Sequence, residues 1–116
     1  MKTLLIACFA LTTNLLIAQT WYDVSVPTEN KLNDIDFPTA SVGYIVGDSA
    51  TMLKTIDGGQ TWNQLSLTGI TIPSWAVISI VDVEFVDAWI GYIVFAGYSN
   101  GPFKTVDGGA TWTDVG

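Results

Sequence analysis

Along residues 32–116 apolar positions come in short stretches that alternate with polar ones and are broken by glycine, proline, asparagine and aspartate. "NDIDF" (33–37) alternates polar and apolar, the pattern of a half-buried strand. "GYIV" (43–46) and "TMLKT" (51–55) are short runs set off by glycine or polar turns, and "TWNQLSL" (61–67) supplies a fourth strand. Beyond the first 18 residues nothing follows a 3.6-residue period, so the pattern predicts strands and no helix.

The pattern then returns. "KTIDGGQTW" (54–62) recurs as "KTVDGGATW" (104–112), an offset of 50 positions. Upstream, "DIDFPTASVGYIV" from Asp34 lines up with "DVEFVDAWIGYIV" from Asp82 at an offset of 48, pairing Phe37 with Phe85 and Gly43 with Gly91. "TWYDVS" from Thr20 resembles both "TWNQLS" from Thr61 and "TWTDVG" from Thr111, so a partial third copy lies upstream. Four antiparallel strands in roughly 40–50 residues, repeated, describe a propeller blade. A sandwich would not require near-identical hairpins at one period. The expected fold is therefore all-β, about two four-stranded antiparallel blades of a larger β-propeller. Residues 19–26 are the last strand of a split blade, and 32–67 and 80–116 are the two blades. Propellers typically close with four to eight blades, so further blades in the same chain, or self-assembly of copies, are expected to complete the ring.

The repeated phrase carries turn chemistry. Asp57 can accept backbone N–H bonds a few residues on, and Gly58 and Gly59 can take the positive φ of a tight hairpin. Thr55 and Thr61 flank the turn on β-favouring ground. Trp62 opens the last strand with a large apolar side chain, whose deletion from a core costs about 3–5 kcal/mol against about 1 for a turn hydrogen bond. Thr55-x-Asp57-x-Gly59-x-Thr61-Trp62 and Thr105-x-Asp107-x-Gly109-x-Thr111-Trp112 resemble the Asp-box of BNR-type repeats, with Thr in a slot that often holds Ser. The upstream "GYIVG" with "KTIDGGQTW" is similar to the repeat of propellers resembling the photosystem II assembly and stability factor. The resemblance implies a structural, non-catalytic role for the box. As a calcium or phosphate loop it is poorly equipped. It has one carboxylate where calcium loops alternate several oxygens, and a strand follows where phosphate loops start a helix.

The amino end reads differently. Lys2 precedes a mostly apolar stretch from Leu4 to Ala18, the n- and h-regions of a secretory signal peptide over residues 1–18. Thr12, Thr13 and Asn14 interrupt it, and it falls short of the roughly 20 apolar residues that span a bilayer. "LIAC" (5–8) resembles a lipoprotein box, but fewer apolar residues precede Cys8 than the roughly 7–15 of an ordinary h-region. Cleavage after Ala18 is the preferred reading. It leaves a mature chain without cysteine and without a membrane-inserting segment, placed outside the cell, on its surface or in the periplasm.

Composition narrows the chemistry. Eleven Asp and Glu stand against four Lys, with no Arg and no His, a net charge of −7. Nucleic acid is not an expected partner, because that binding rests on neutralising phosphates with Lys and Arg. Histidine- and thiolate-based catalysis and metal binding lack their residues, and no metal or other cofactor is expected. A sialidase would need an arginine cluster. Carboxylate chemistry of the glycosidase kind would fall to Asp34, Asp36, Asp82 and Glu84, whose alternation strand patterning already explains.

Two insertions distinguish the second unit. The link between units gains seven residues within "TGITIPSWAVIS" (68–79), and the second turn gains two within "FAGYSNGP" (95–102). In a meander both fall at the end opposite the Asp-box. Trp75, Tyr98 and Asn100 are the candidate ligand face, since recognition usually sits on loops of a rigid scaffold. The expected function is a non-catalytic secreted module that binds or displays protein or glycan. An Asp-box glycoside hydrolase and a photosystem II assembly factor are the alternatives. The second meets a departure, since basic residues are few.

Overall fold

The computed structural model of the chain describes residues 2–8, 20–97 and 101–116. Among them every regular element is a strand. Strands β1 (Lys2–Cys8) and β2 (Thr20–Val26) form an antiparallel pair. Strands β3 (Leu32–Asp36), β4 (Gly43–Gly47), β5 (Thr51–Thr55) and β6 (Asn63–Gln64) form a four-stranded meander. Strands β7 (Ser79–Phe85), β8 (Gly91–Ala96), β9 (Phe103–Thr105) and β10 (Thr113–Asp114) form a second. Within each meander neighbours in sequence are neighbours in the sheet, so short turns suffice.

The two meanders match in their irregularities as well. β3 slips register against β4 between Leu32 and Asp34, and β7 slips against β8 between Ile80 and Asp82. These bulges lie 48 positions apart, at the offset of the sequence repeat. The residue in the first bulge, Asn33, donates its side-chain amide to Asp48 Oδ1 and to Ile80 O, both at 3.0 Å.

Each sheet buries one face against its neighbour, as a sheet with an apolar face must. Val24 and Val26 of β2 join Ile45, Leu53 and Trp62 in one core. Tyr44, Val46 and Met52, on the other face of the first meander, join Ile80, Val83, Phe85, Ile93, Phe103 and Trp112 of the second. Alternation along β4 thus sends Ile45 one way and Tyr44 and Val46 the other, which is why all five of its residues are buried.

The fourth strands are shorter than the sequence predicts. β6 keeps only Asn63 and Gln64 in register with β5. Leu65 makes one further backbone bond to Met52 O (2.9 Å), and Leu65 and Leu67 pack on the core that the two meanders share. Apolar contact outcompetes the last ladder bonds at this outer edge.

Candidate functional site

Three features of the fold can carry function: the repeated hairpin, the joint between sheets, and the loop end opposite the hairpins. The hairpin is a closed hydrogen-bond unit. The Thr55 hydroxyl donates to Asp57 Oδ1 (2.8 Å) and accepts from Gly59 N (2.9 Å). Asp57 also accepts from Thr61 N (2.9 Å) and the Thr61 hydroxyl (2.5 Å). The Trp62 indole N–H donates to Gly59 O at 3.0 Å. Thr105, Asp107, Gly109, Thr111 and Trp112 repeat these bonds at 2.8, 2.9, 2.9, 2.5 and 3.2 Å. Gly58 and Gly59 have φ of 73° and 92°, and Gly108 and Gly109 of 70° and 90°, a region costly to side chains. Both threonines, read from sequence as strand formers, are hydrogen-bond centres, and Asp57 accepts from the backbone three and four residues on, at Gln60 and Thr61. The Thr61 bonds, from side chain and backbone, lead the causes that lower the Asp57 carboxyl from 3.8 to about 2. Thr111 does the same for Asp107.

The joint is built from residues that the two units share. The Tyr44 ring stacks on Phe85 with centroids 3.7 Å apart and planes 3° from parallel. Its hydroxyl donates to Gly108 O (3.0 Å) and Ala88 O (3.2 Å), and Lys54 Nζ donates to the same Gly108 carbonyl at 3.1 Å. Burial, with a smaller push from the Asp87 charge, raises the Tyr44 hydroxyl from 10.0 to about 12, so it remains a donor. On the innermost strands, Asp34 Oδ2 accepts from Val83 N (3.0 Å) and Asp36 Oδ2 from Phe85 N (2.6 Å). Two of the four carboxylates offered by sequence for catalysis thus hold one sheet's edge to the next. Asp82 hydrogen-bonds Asp34, and that bond, with burial and the Asp34 charge, raises its carboxyl. Sequence alone missed Tyr44 and Lys54, although their recurrence as Tyr92 and Lys104 was the available signal.

Trp75 lies in the link between sheets, 81% exposed, beside a turn closed by Ala76 N to Pro73 O at 2.9 Å. The link runs along the β4–β5 turn, where Ala50 N donates to Ile78 O (3.1 Å) and Asp48 bridges Ser79. The β3–β4 turn sits at the other end, where Ser41 O accepts from Gly58 N of the hairpin at 2.9 Å. Tyr98 and Asn100, expected beside Trp75, fall outside the described residues. Among the described residues no group of three or more His, Cys, Asp or Glu is arranged to hold a metal ion.

Stacked antiparallel sheets with this recurring hairpin define blades of a BNR-type β-propeller. Residues 13–80 match the family model described as photosynthesis system II assembly factor YCF48, and the chain belongs to that family. Among its relatives is the photosystem II assembly protein Ycf48 of a Synechococcus species, 43% identical over 67 residues, covering 55% of this chain and 20% of the relative. Another is the photosystem II assembly lipoprotein Ycf48 of a Nostoc species, 52% identical over 48 residues, covering 40% of this chain and 14% of the relative. A solved structure described as YCF48 bound to D1 peptide superposes with a TM-score of 0.66 at 29% identity. That match covers 80% of this chain and 28% of the solved one. The chain thus spans about a fifth or less of these curated relatives. The assembly-factor alternative is better supported by these likenesses than secreted glycan display.

Proposed function

We propose that this chain supplies blades of a non-catalytic propeller that binds a polypeptide segment during the assembly of a larger complex. The observation that carries this reading is the structural likeness to YCF48 bound to D1 peptide. The chemistry agrees. Asp34 and Asp36, half of the carboxylates that a glycosidase reading would need, are committed to backbone N–H groups. The hairpins, in the role of Asp-boxes, fold the blades, and the loop end around Trp75 is the recognition face. Export by the amino-terminal segment is compatible with relatives whose names call them lipoproteins, a likeness that favours Cys8 over cleavage after Ala18, which would remove the chain's one cysteine. Fluorescence anisotropy of a labelled D1 peptide titrated with the full-length protein tests the reading. Saturable binding that unlabelled peptide reverses is expected. No change up to millimolar protein would overturn it.

A further inference from the structure

Each hairpin places an aspartate directly before a glycine, Asp57-Gly58 in the first unit and Asp107-Gly108 in the second. In a free chain such a pair is reactive, because glycine has no side chain to shield its backbone nitrogen. That nitrogen attacks the carboxyl carbon of the aspartate before it. An N–C bond forms, the carboxyl hydroxyl leaves with the amide proton as water, and a five-membered succinimide results. Water then reopens the ring at either carbonyl. Opening at the backbone carbonyl leaves the chain running through the former side chain, as isoaspartate. The reaction needs a free amide N–H, a carboxyl able to turn, and the neutral acid as electrophile.

The closed hairpin withholds all three. Gly58 N donates to Ser41 O and Gly108 N to Trp89 O, both at 2.9 Å. Thr55 and Thr61 hold both oxygens of the Asp57 carboxyl, and Thr105 and Thr111 those of Asp107. The same bonds lower both carboxyls to about 2, which keeps the neutral acid scarce. The two hairpins are not equally secured. Gly108 is buried, and its carbonyl accepts from Tyr44 and Lys54 across the joint. Trp112 N of the same hairpin also donates to Thr68 O at 2.8 Å. Gly58, at the matching place in the first unit, is half-buried. Segments whose backbone bonds lie near solvent open at the low end of local stability.

We infer that the Asp57-Gly58 bond is a modification site of this chain, where opening of the first hairpin is recorded permanently as isoaspartate. Closure protects the bond and each opening exposes it. The product no longer fits the closed hairpin. Its backbone has gained one methylene, and its free carboxyl sits one carbon nearer the chain, out of register with Thr55 and Thr61. Asp107 carries the same chemistry under the closer guard of the joint.

The full chain, kept in mildly acidic oxygen-18 water, digested with trypsin and read by tandem mass spectrometry, tests this. Ring opening adds one heavy oxygen at the aspartate concerned, and the fragments 55–104 and 105–116 separate the two hairpins. Synthetic peptides of residues 54–62 and 104–112 give the unprotected rates. In the folded chain Asp57 should gain label about ten- to a thousandfold more slowly than its peptide, and Asp107 more slowly than Asp57. In urea both should match their peptides. Thr61→Val should speed Asp57 alone, and Thr61→Ser, which keeps the hydroxyl, should restore the slow rate. An Asp57 rate outside that range, an Asp107 faster than Asp57, or an unmoved Asp57 in Thr61→Val would overturn the site. If Thr61→Val speeds Asp107 equally, it has unfolded the chain, and Tyr44→Phe decides instead. Faster labelling of Asp107 alone in that variant upholds the inference, and an unmoved Asp107 overturns it.

Discussion

Replacing Tyr44 by phenylalanine isolates the polar half of the joint between sheets. The ring is fully buried and stacked on Phe85 at 3.7 Å, and phenylalanine keeps that stack. What disappears is one hydroxyl proton shared between Gly108 O at 3.0 Å and Ala88 O at 3.2 Å. Gly108 O retains Lys54 Nζ at 3.1 Å, and Ala88 is only half-buried, so water can reach its carbonyl. The loss should therefore be that of a single net hydrogen bond, about 1 kcal/mol. Tyr44→Ala also removes the ring and should cost about 3–5 kcal/mol. With a urea dependence of about 1–3 kcal/mol per molar, Tyr44→Phe should lower the unfolding midpoint by about 0.3–1 M with an unchanged slope. Lys54→Met in the same background should be non-additive, because both donors use one carbonyl. An unmoved midpoint for Tyr44→Phe would refute the reasoning. A changed slope would mean that the two sheets unfold separately and that the joint does not couple them.

Three further outcomes follow from the geometry. Asp57 and Asp107 have carboxyls lowered to about 2, below their unfolded value of about 3.9, so they stabilise the fold fully above about pH 4. That contribution is lost as pH falls toward 2, and the double Asp→Asn variant should show a flatter acid limb in circular dichroism at the cost of lower stability at pH 7. Gly91→Ala would place a Cβ 2.5 Å from the Phe85 ring, which Tyr44 pins from the other side, so urea unfolding should show a loss of about 1–3 kcal/mol. Export with cleavage after Ala18 should give a mature chain that begins at Gln19 and contains no cysteine; an intact mass showing a lipid-bearing Cys8 at the amino terminus would refute that site.

The sheets were legible because periodicity is a local property. Offsets of 48 and 50 and the alternation within each stretch mark the meanders down to their hairpins. Partners across the joint were not, since a repeat tells which residues recur and not which ones meet. Asp34 and Asp36 read as ordinary strand polar positions, or as catalytic carboxylates, until β7 is placed beside β3 and its N–H groups claim them. The loop end opposite the hairpins was half visible. Trp75 stood out as an apolar residue in a long link, but the left-handed backbone at Ser49 and Ala50 has no compositional mark, since neither residue is glycine or asparagine. The charge count weighed against the assembly-factor alternative. A chain spanning 20% of a relative cannot speak for the electrostatics of the whole ring. At the amino end the expected leader stands as β1 against β2, so its removal after Ala18 would uncover that strand's edge.

The joint has a further consequence for how such proteins change size. Tyr44 and Lys54 sit on one side of their sheet, while Phe85 and Gly108, which receive them, belong to the next. Tyr92 and Lys104 recur in the second sheet with the ammonium 5.8 Å from the ring centroid, against 5.4 Å in the first. The second unit thus carries both a receptacle, Phe85 and Gly108, and a plug of its own, Tyr92 and Lys104. A gene duplication that adds one copy brings both halves together, so a lineage could lengthen or shorten the circle without evolving a new contact.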